Sequence, residues 1–60
     1  MFIKINTQNS KVSLINTNHI MYFYISASGK IVYIQMMDST SIDISIDEYE
    51  RLMRILDAKQ

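Results

Sequence analysis

Residues 19–37, HIMYFYISASGKIVYIQMM, decide the fold. Two apolar runs rich in β-branched and aromatic side chains flank Ser26-Ala27-Ser28-Gly29-Lys30, a short break that holds the chain's only glycine. Side chains of the first kind suit a pleated, packed surface. A glycine in a short break supplies the positive φ that a hairpin loop demands. The pattern predicts an antiparallel pair, with strands at residues 19–26 and 31–37. Both strands are apolar on both faces. One parity offers Met21, Phe23 and Ile25 with Val32, Ile34 and Met36. The other offers Ile20, Tyr22 and Tyr24 with Ile31, Tyr33 and Met37. Which set is covered depends on register, which alternation alone does not settle.

Outward from this hairpin the chain alternates more simply. Residues 2–7 place Ile3 and Ile5 opposite Lys4 and Asn6, a half-buried strand. Gln8-Asn9-Ser10 carries turn chemistry. Residues 11–15 alternate again, with Val12 and Leu14 expected on the apolar face, opposite Lys11 and Ser13. Asn16-Thr17-Asn18 is a second break. After the hairpin, Asp38-Ser39 turns into a fifth strand at residues 40–44.

The period then changes from 2 to 3.6. Ser45-Ile46-Asp47-Glu48 fits a capping box, with Ser45 as N-cap and Glu48 reaching back. Asp47 and Glu48 also suit the positive end of a helix dipole, and Lys59 lies toward the other end. At 100° per residue, Ile46, Tyr49, Leu52, Met53 and Leu56 share an arc of about 120°. Glu50, Arg51, Arg54 and Asp57 fall outside it, as does Ile55. The expected helix covers residues 46–58. The expected architecture is α+β, a single domain over residues 1–60. It is a five-stranded antiparallel meander with one C-terminal helix, its sheet open, strongly coiled or barrel-like.

Composition narrows the function. Chains below about 70–80 residues usually rely on disulfides, a structural metal or oligomerisation. This one has 60 residues, no cysteine and one histidine, which excludes a disulfide and any Cys/His zinc site. Six basic and six acidic residues balance to zero net charge, so no field steers the chain toward nucleic acid or anionic lipid. The apolar run from Ile20 to Ile25 is far short of the ~20 residues that cross a bilayer. The N-terminus lacks the charged-then-apolar pattern of a signal peptide, so the cytoplasm is the expected compartment.

No catalytic constellation emerges. His19 stands alone beside Asn16-Thr17-Asn18 and reads as a structural or surface residue. Asp47, Glu48, Glu50 and Asp57 are accounted for by capping and helix solvation, Asp38 by a turn and Asp43 by an outward strand face. They lack calcium-loop spacing, and one glycine cannot build a Gly-rich phosphate loop. The expectation is no enzyme, no cofactor and no metal. One helix can cover only one face of the hairpin. The other face, Ile20, Tyr22, Tyr24, Ile31, Tyr33 and Met37, with Ile55 added from the helix, is the candidate interface. It is buried by coiling of the sheet, by a second copy, by a heterologous protein, or by bases stacked on the tyrosines. Self-association is the favoured reading and nucleic acid the disfavoured one, because no basic patch accompanies the tyrosines. A composition rich in Ile, Ser, Asn and Met resembles a phage-like coding bias, which adds a host-binding phage or mobile-element factor as an alternative.

Several stretches resemble the small FlbD/SwrD-type flagellar motility proteins. These are Ile3-Lys4-Ile5, the Asn9-Ser10 turn, Ile15-Asn16 followed by Ile20, the run from Ile31 to Met37, and Ser45 before a helix with an acidic start. The likeness implies short strands plus a helix and an association with flagellar function, with no catalytic residue to carry over. That family usually has Asn-Gly where Asn9-Ser10 and Asp38-Ser39 stand and tends to have Glu where Tyr24 stands, and the hairpin tip here also differs. Residues Ile20 to Leu56 are also similar to the strand-rich part of LytTR-type DNA-binding domains. Those domains are longer and carry basic contacts that this chain lacks.

Overall fold

The computed structural model describes residues 1–58. Its elements are β1 (Phe2–Asn6), β2 (Val12–Asn16), a 3-10 turn (Thr17–His19), β3 (Ile20–Ile25), β4 (Ile31–Met36), β5 (Ser41–Ser45) and α1 (Ile46–Ala58). The α+β class, the antiparallel strands and the C-terminal helix match expectation. Lys59 lies outside the described residues.

The single continuous meander does not hold. β1 pairs with β2 in one sheet, β3-β4-β5 form a second, and neither closes into a barrel. The break falls at Asn16-Thr17-Asn18, which forms a 3-10 turn instead of a hairpin loop. Asn18 N–H donates to Asn16 Oδ1 at 3.1 Å, and Ile20 N–H donates to the Thr17 carbonyl. Thr17 N–H and its hydroxyl both donate to the Met1 carbonyl, at 2.8 and 3.0 Å. The chain therefore leaves β2 redirected, and β3 does not fold back along it. The two sheets meet elsewhere, where Gln8 N–H donates to the Asp43 carbonyl at 3.0 Å.

All three hairpin loops close on a residue of positive φ: Ser10 (65°), Gly29 (74°) and Ser39 (75°). In the first, Ser10 N–H donates to Thr7 C=O and Thr7 N–H to Lys11 C=O. In the third, Ser39 N–H donates to Met36 C=O and Met36 N–H to Thr40 C=O. Both are three-residue loops, a turn followed by one left-handed residue. Serine pays a steric cost in that region that glycine does not.

The first loop sets the register of β2. Ile15 falls opposite Ile3, Ser13 opposite Ile5, Leu14 opposite Lys4 and Val12 opposite Asn6. Directly opposed residues share a face, so Ile15 is buried with Ile5 while Val12 and Leu14 are each 63% exposed. The expected apolar face of β2 is thus reversed. Its orientation follows from the inward face of β1 and the loop, not from β2's own alternation.

The core is Ile5, Ile15, Val32, Ile34, Met36, Ile44 and Leu52, with Ile46, Tyr49, Met53 and Leu56 of the helix packed against it. All five positions of the predicted apolar arc therefore face the sheets. Ile5, Val32, Ile34, Ile44 and Leu52 retain no exposed surface, each burial stabilising by about 1.5–3 kcal/mol relative to an exposed side chain. Phe23 and Tyr49 meet edge to face at 5.5 Å. Ser45 caps α1, accepting from Glu48 N–H at 3.1 Å.

Candidate interaction surface

The face of the three-stranded sheet turned away from the helix carries an aromatic ladder. Tyr24 lies directly opposite Tyr33, their rings stacked at 4.9 Å and 23°. Tyr22 and Tyr24, two apart on β3, have ring centroids 5.9 Å apart. Tyr22 and Tyr24 are about half exposed and Tyr33 is half-buried. Across β4, Tyr33 opposes Asp43 and Gln35 opposes Ser41 on β5. The face is therefore aromatic toward β3 and polar toward β5.

The candidate residues divide. Tyr22, Tyr24 and Tyr33 come together, and Ile31, half-buried and opposite Ser45, follows Tyr33 by strand parity. Met37 lies one residue beyond β4, 59% exposed, its N–H donating to the His19 carbonyl. Ile20 departs from the set. A register shift between Ile20 and Tyr22 places Ile20 opposite Met36 and Tyr22 opposite Gln35, so Ile20 packs on the core instead. Met21, the extra residue, is 55% exposed. Such a bulge reverses the parity of every residue before it, and period-2 counting from Tyr22 cannot detect it. Ile55 is half-buried on the helix, outside the side chains packed on the core.

A second apolar surface escaped sequence reasoning. Phe2, Val12 and Leu14 are exposed on the outer side of β1–β2, opposite Asn16, Asn6 and Lys4 respectively. The signal was in the loop. A three-residue connection at Gln8-Asn9-Ser10 pairs Thr7 with Lys11, which places Ile15 beside Ile3 and turns Val12 and Leu14 outward.

A polar cluster sits where the helix meets β1. Glu48, only 8% exposed, accepts from Asn6 N–H at 2.9 Å and from Arg51 Nε and Nη2 at 3.0 and 2.6 Å. Arg51 also donates to the Lys4 carbonyl at 2.8 Å. The carboxylate thus reaches across to β1 instead of back to its own cap, as the capping box had implied. Two helix side chains satisfy the outer edge of β1 in place of a strand. The Arg51 hydrogen bonds hold the Glu48 carboxyl below the usual range, against the opposing pull of burial, and the Asn6 N–H adds to the lowering. The groove beside this cluster contains Arg51 and Arg54, offset by Asp47 and Glu48, so it offers an anion no net positive charge.

His19 is exposed at the end of the 3-10 turn. Asp38 accepts from the Thr40 hydroxyl and N–H at 2.6 and 3.0 Å, which lowers its carboxyl pKa, with a small further contribution from His19. Among the described residues no three His, Cys, Asp or Glu side chains converge as metal ligands, and no helix is long and apolar enough to cross a membrane. Compared with protein-family models, curated proteins and solved structures, the chain matches none.

Proposed function

We propose that this chain is a non-enzymatic interaction module that self-associates through its three-stranded sheet. The observation that carries the reading is the tyrosine ladder, left open beside exposed Met21 and Met37. Large exposed apolar side chains grouped on one surface mark association sites, and Tyr and Met are enriched at interfaces. The helix already covers the opposite face of this sheet. A stable dimer buries about 800 Å² per partner, roughly a fifth of the 4172 Å² this chain exposes. An interface of that size takes a whole sheet face or edge, not one side chain.

Size exclusion with light scattering tests the reading. A species of twice 7.0 kDa or more at tens of micromolar supports it, and a non-exchanging 7.0 kDa monomer refutes it. Base stacking on Tyr22, Tyr24 and Tyr33 is the weaker reading, because Tyr33 faces Asp43 and the rings already stack on each other. Absence of single-strand binding at low salt would remove it. The proposed setting is the cytoplasm, checked by fractionation. The likeness to flagellar motility proteins suggests an accessory motility role, which unchanged swimming and swarming after gene deletion would rule out.

A further inference from the structure

We infer that two copies of the chain pair antiparallel along the open edge of β3, about a two-fold axis at Tyr24. The inference rests on the self-association proposed for this sheet and specifies its geometry. It begins from which backbone groups are unpaired. Ser26 N–H donates to the Ile31 carbonyl at 2.9 Å, and along a strand successive N–H groups point to opposite sides. Ser26 and Tyr24 therefore direct their amides toward β4, and Phe23 and Ile25 direct theirs outward. β3 is the terminal strand of its sheet, so no strand of that sheet receives them.

The edges of this fold are treated unequally. The outer edge of β1 is closed by Glu48, Arg51 and the Gln8–Asp43 hydrogen bond. The β3 edge carries no proline and no charged side chain, and its one protective feature, the bulge at Met21, lies near its start. No ionisable group other than tyrosine lies between His19 and Lys30. The bulge at Met21 leaves Tyr22 to Ser26 as the regular stretch.

That stretch is complementary to itself in one register. Centring the axis on Tyr24 sets Phe23 against Ile25 of the second copy, and Ile25 against its Phe23, as hydrogen-bonded pairs using the outward amides. Ile25 is 54% exposed although its neighbour across β4, Val32, is fully buried. The cause is that no strand lies on its other side, and Phe23 of the second copy would fill that place. On the opposite face, Tyr24 meets its own counterpart and extends the ladder across the axis. No charged side chain lies in the paired stretch from Tyr22 to Ser26, so no like charges are opposed. The β2 edge is the competing site, but the charged Lys11 adjoins it.

The chain has no native cysteine, which permits a direct test. Residues facing each other in a non-hydrogen-bonded antiparallel pair have Cα atoms about 4.5 Å apart, within the range a disulfide spans. Under mild oxidation Tyr24→Cys should convert mostly to a covalent dimer, while Ser13→Cys on β2 stays monomeric on non-reducing gels. Independently, Ile25→Pro removes an outward N–H and the Ile25 side chain from the pairing edge while breaking no hydrogen bond to β4. It should retain the wild-type circular dichroism yet shift the scattering mass from the dimer to 7.0 kDa. A dimer that survives Ile25→Pro, or that cross-links through Ser13→Cys instead, overturns the β3 edge and leaves self-association standing. A monomeric wild type with no cross-link overturns both.

Discussion

Removing the Glu48 carboxylate should weaken the fold by a calculable amount. Glu48→Ala leaves Asn6 N–H without its 2.9 Å acceptor. An unsatisfied buried donor costs about 1–3 kcal/mol, and since Asn6 lies at an accessible edge, water holds the cost to about 1–1.5. The ion pair is lost too. With the Arg51 side chain 40% exposed, it contributes about 0.3–1 kcal/mol. The total is about 1.3–2.5 kcal/mol, against roughly 3–9 kcal/mol for a chain of this length. With a urea m-value of about 1 kcal/mol/M for a chain this small, the midpoint should fall by about 1.3–2.5 M. Glu48→Gln keeps an acceptor for Asn6 and should cost about 0.3–1 kcal/mol through loss of the charge alone. The pH dependence distinguishes the two causes. A carboxyl whose folded pKa is lowered contributes stability that is fully present above its unfolded value of about 4.3 and lost as pH falls through the folded value. The gap between wild type and Glu48→Gln should therefore be full at pH 7, shrink as pH falls below about 4.3, and be lost once pH is below the folded pKa. Urea melts followed by helix circular dichroism across this pH series measure it. Glu48→Ala within about 0.3 kcal/mol of wild type (roughly the scatter of such melts) at pH 7, or a Glu48→Gln gap undiminished in acid, would show that Glu48 does not support the β1 edge.

Four further outcomes are expected from the same melts. Leu52→Ala should cost about 2–5 kcal/mol because its side chain is fully buried. Leu14→Ala, at 63% exposure, should stay within about 0.5 kcal/mol, and equal costs would contradict the reversed face of β2. Ser45→Ala removes the acceptor of Glu48 N–H and should cost about 0.5–2 kcal/mol; no change would mean that the cap is idle. Ser39→Gly should stabilise by several tenths of a kcal/mol, because φ 75° strains serine and not glycine. Destabilisation would show that the serine side chain, not the backbone angle, governs that loop.

The helix was the most legible element. Its apolar arc, its cap and its acidic first turn are local, and a 3.6-residue period is visible without knowledge of any partner. The β3–β4 hairpin was legible for the same reason. β2 was not, since two apolar residues, Val12 and Leu14, outvoted Ile15 in a count of its own faces. The candidate surface was half legible. Tyr22, Tyr24 and Tyr33 could be grouped by alternation, but Ile20 could not be separated from them, because the bulge at Met21 has no mark in composition.

Periodicity and composition, being properties of short segments, specify the number of strands, the C-terminal helix and a shortage of cover for one hairpin face. Tertiary structure alone decided which face of each strand is covered, the division into two sheets, and the use of Glu48 on the edge of β1. Each of these depends on register between segments distant in sequence, with Asn6 and Glu48 42 residues apart. A shift of one residue reverses a strand's faces with no change in its sequence.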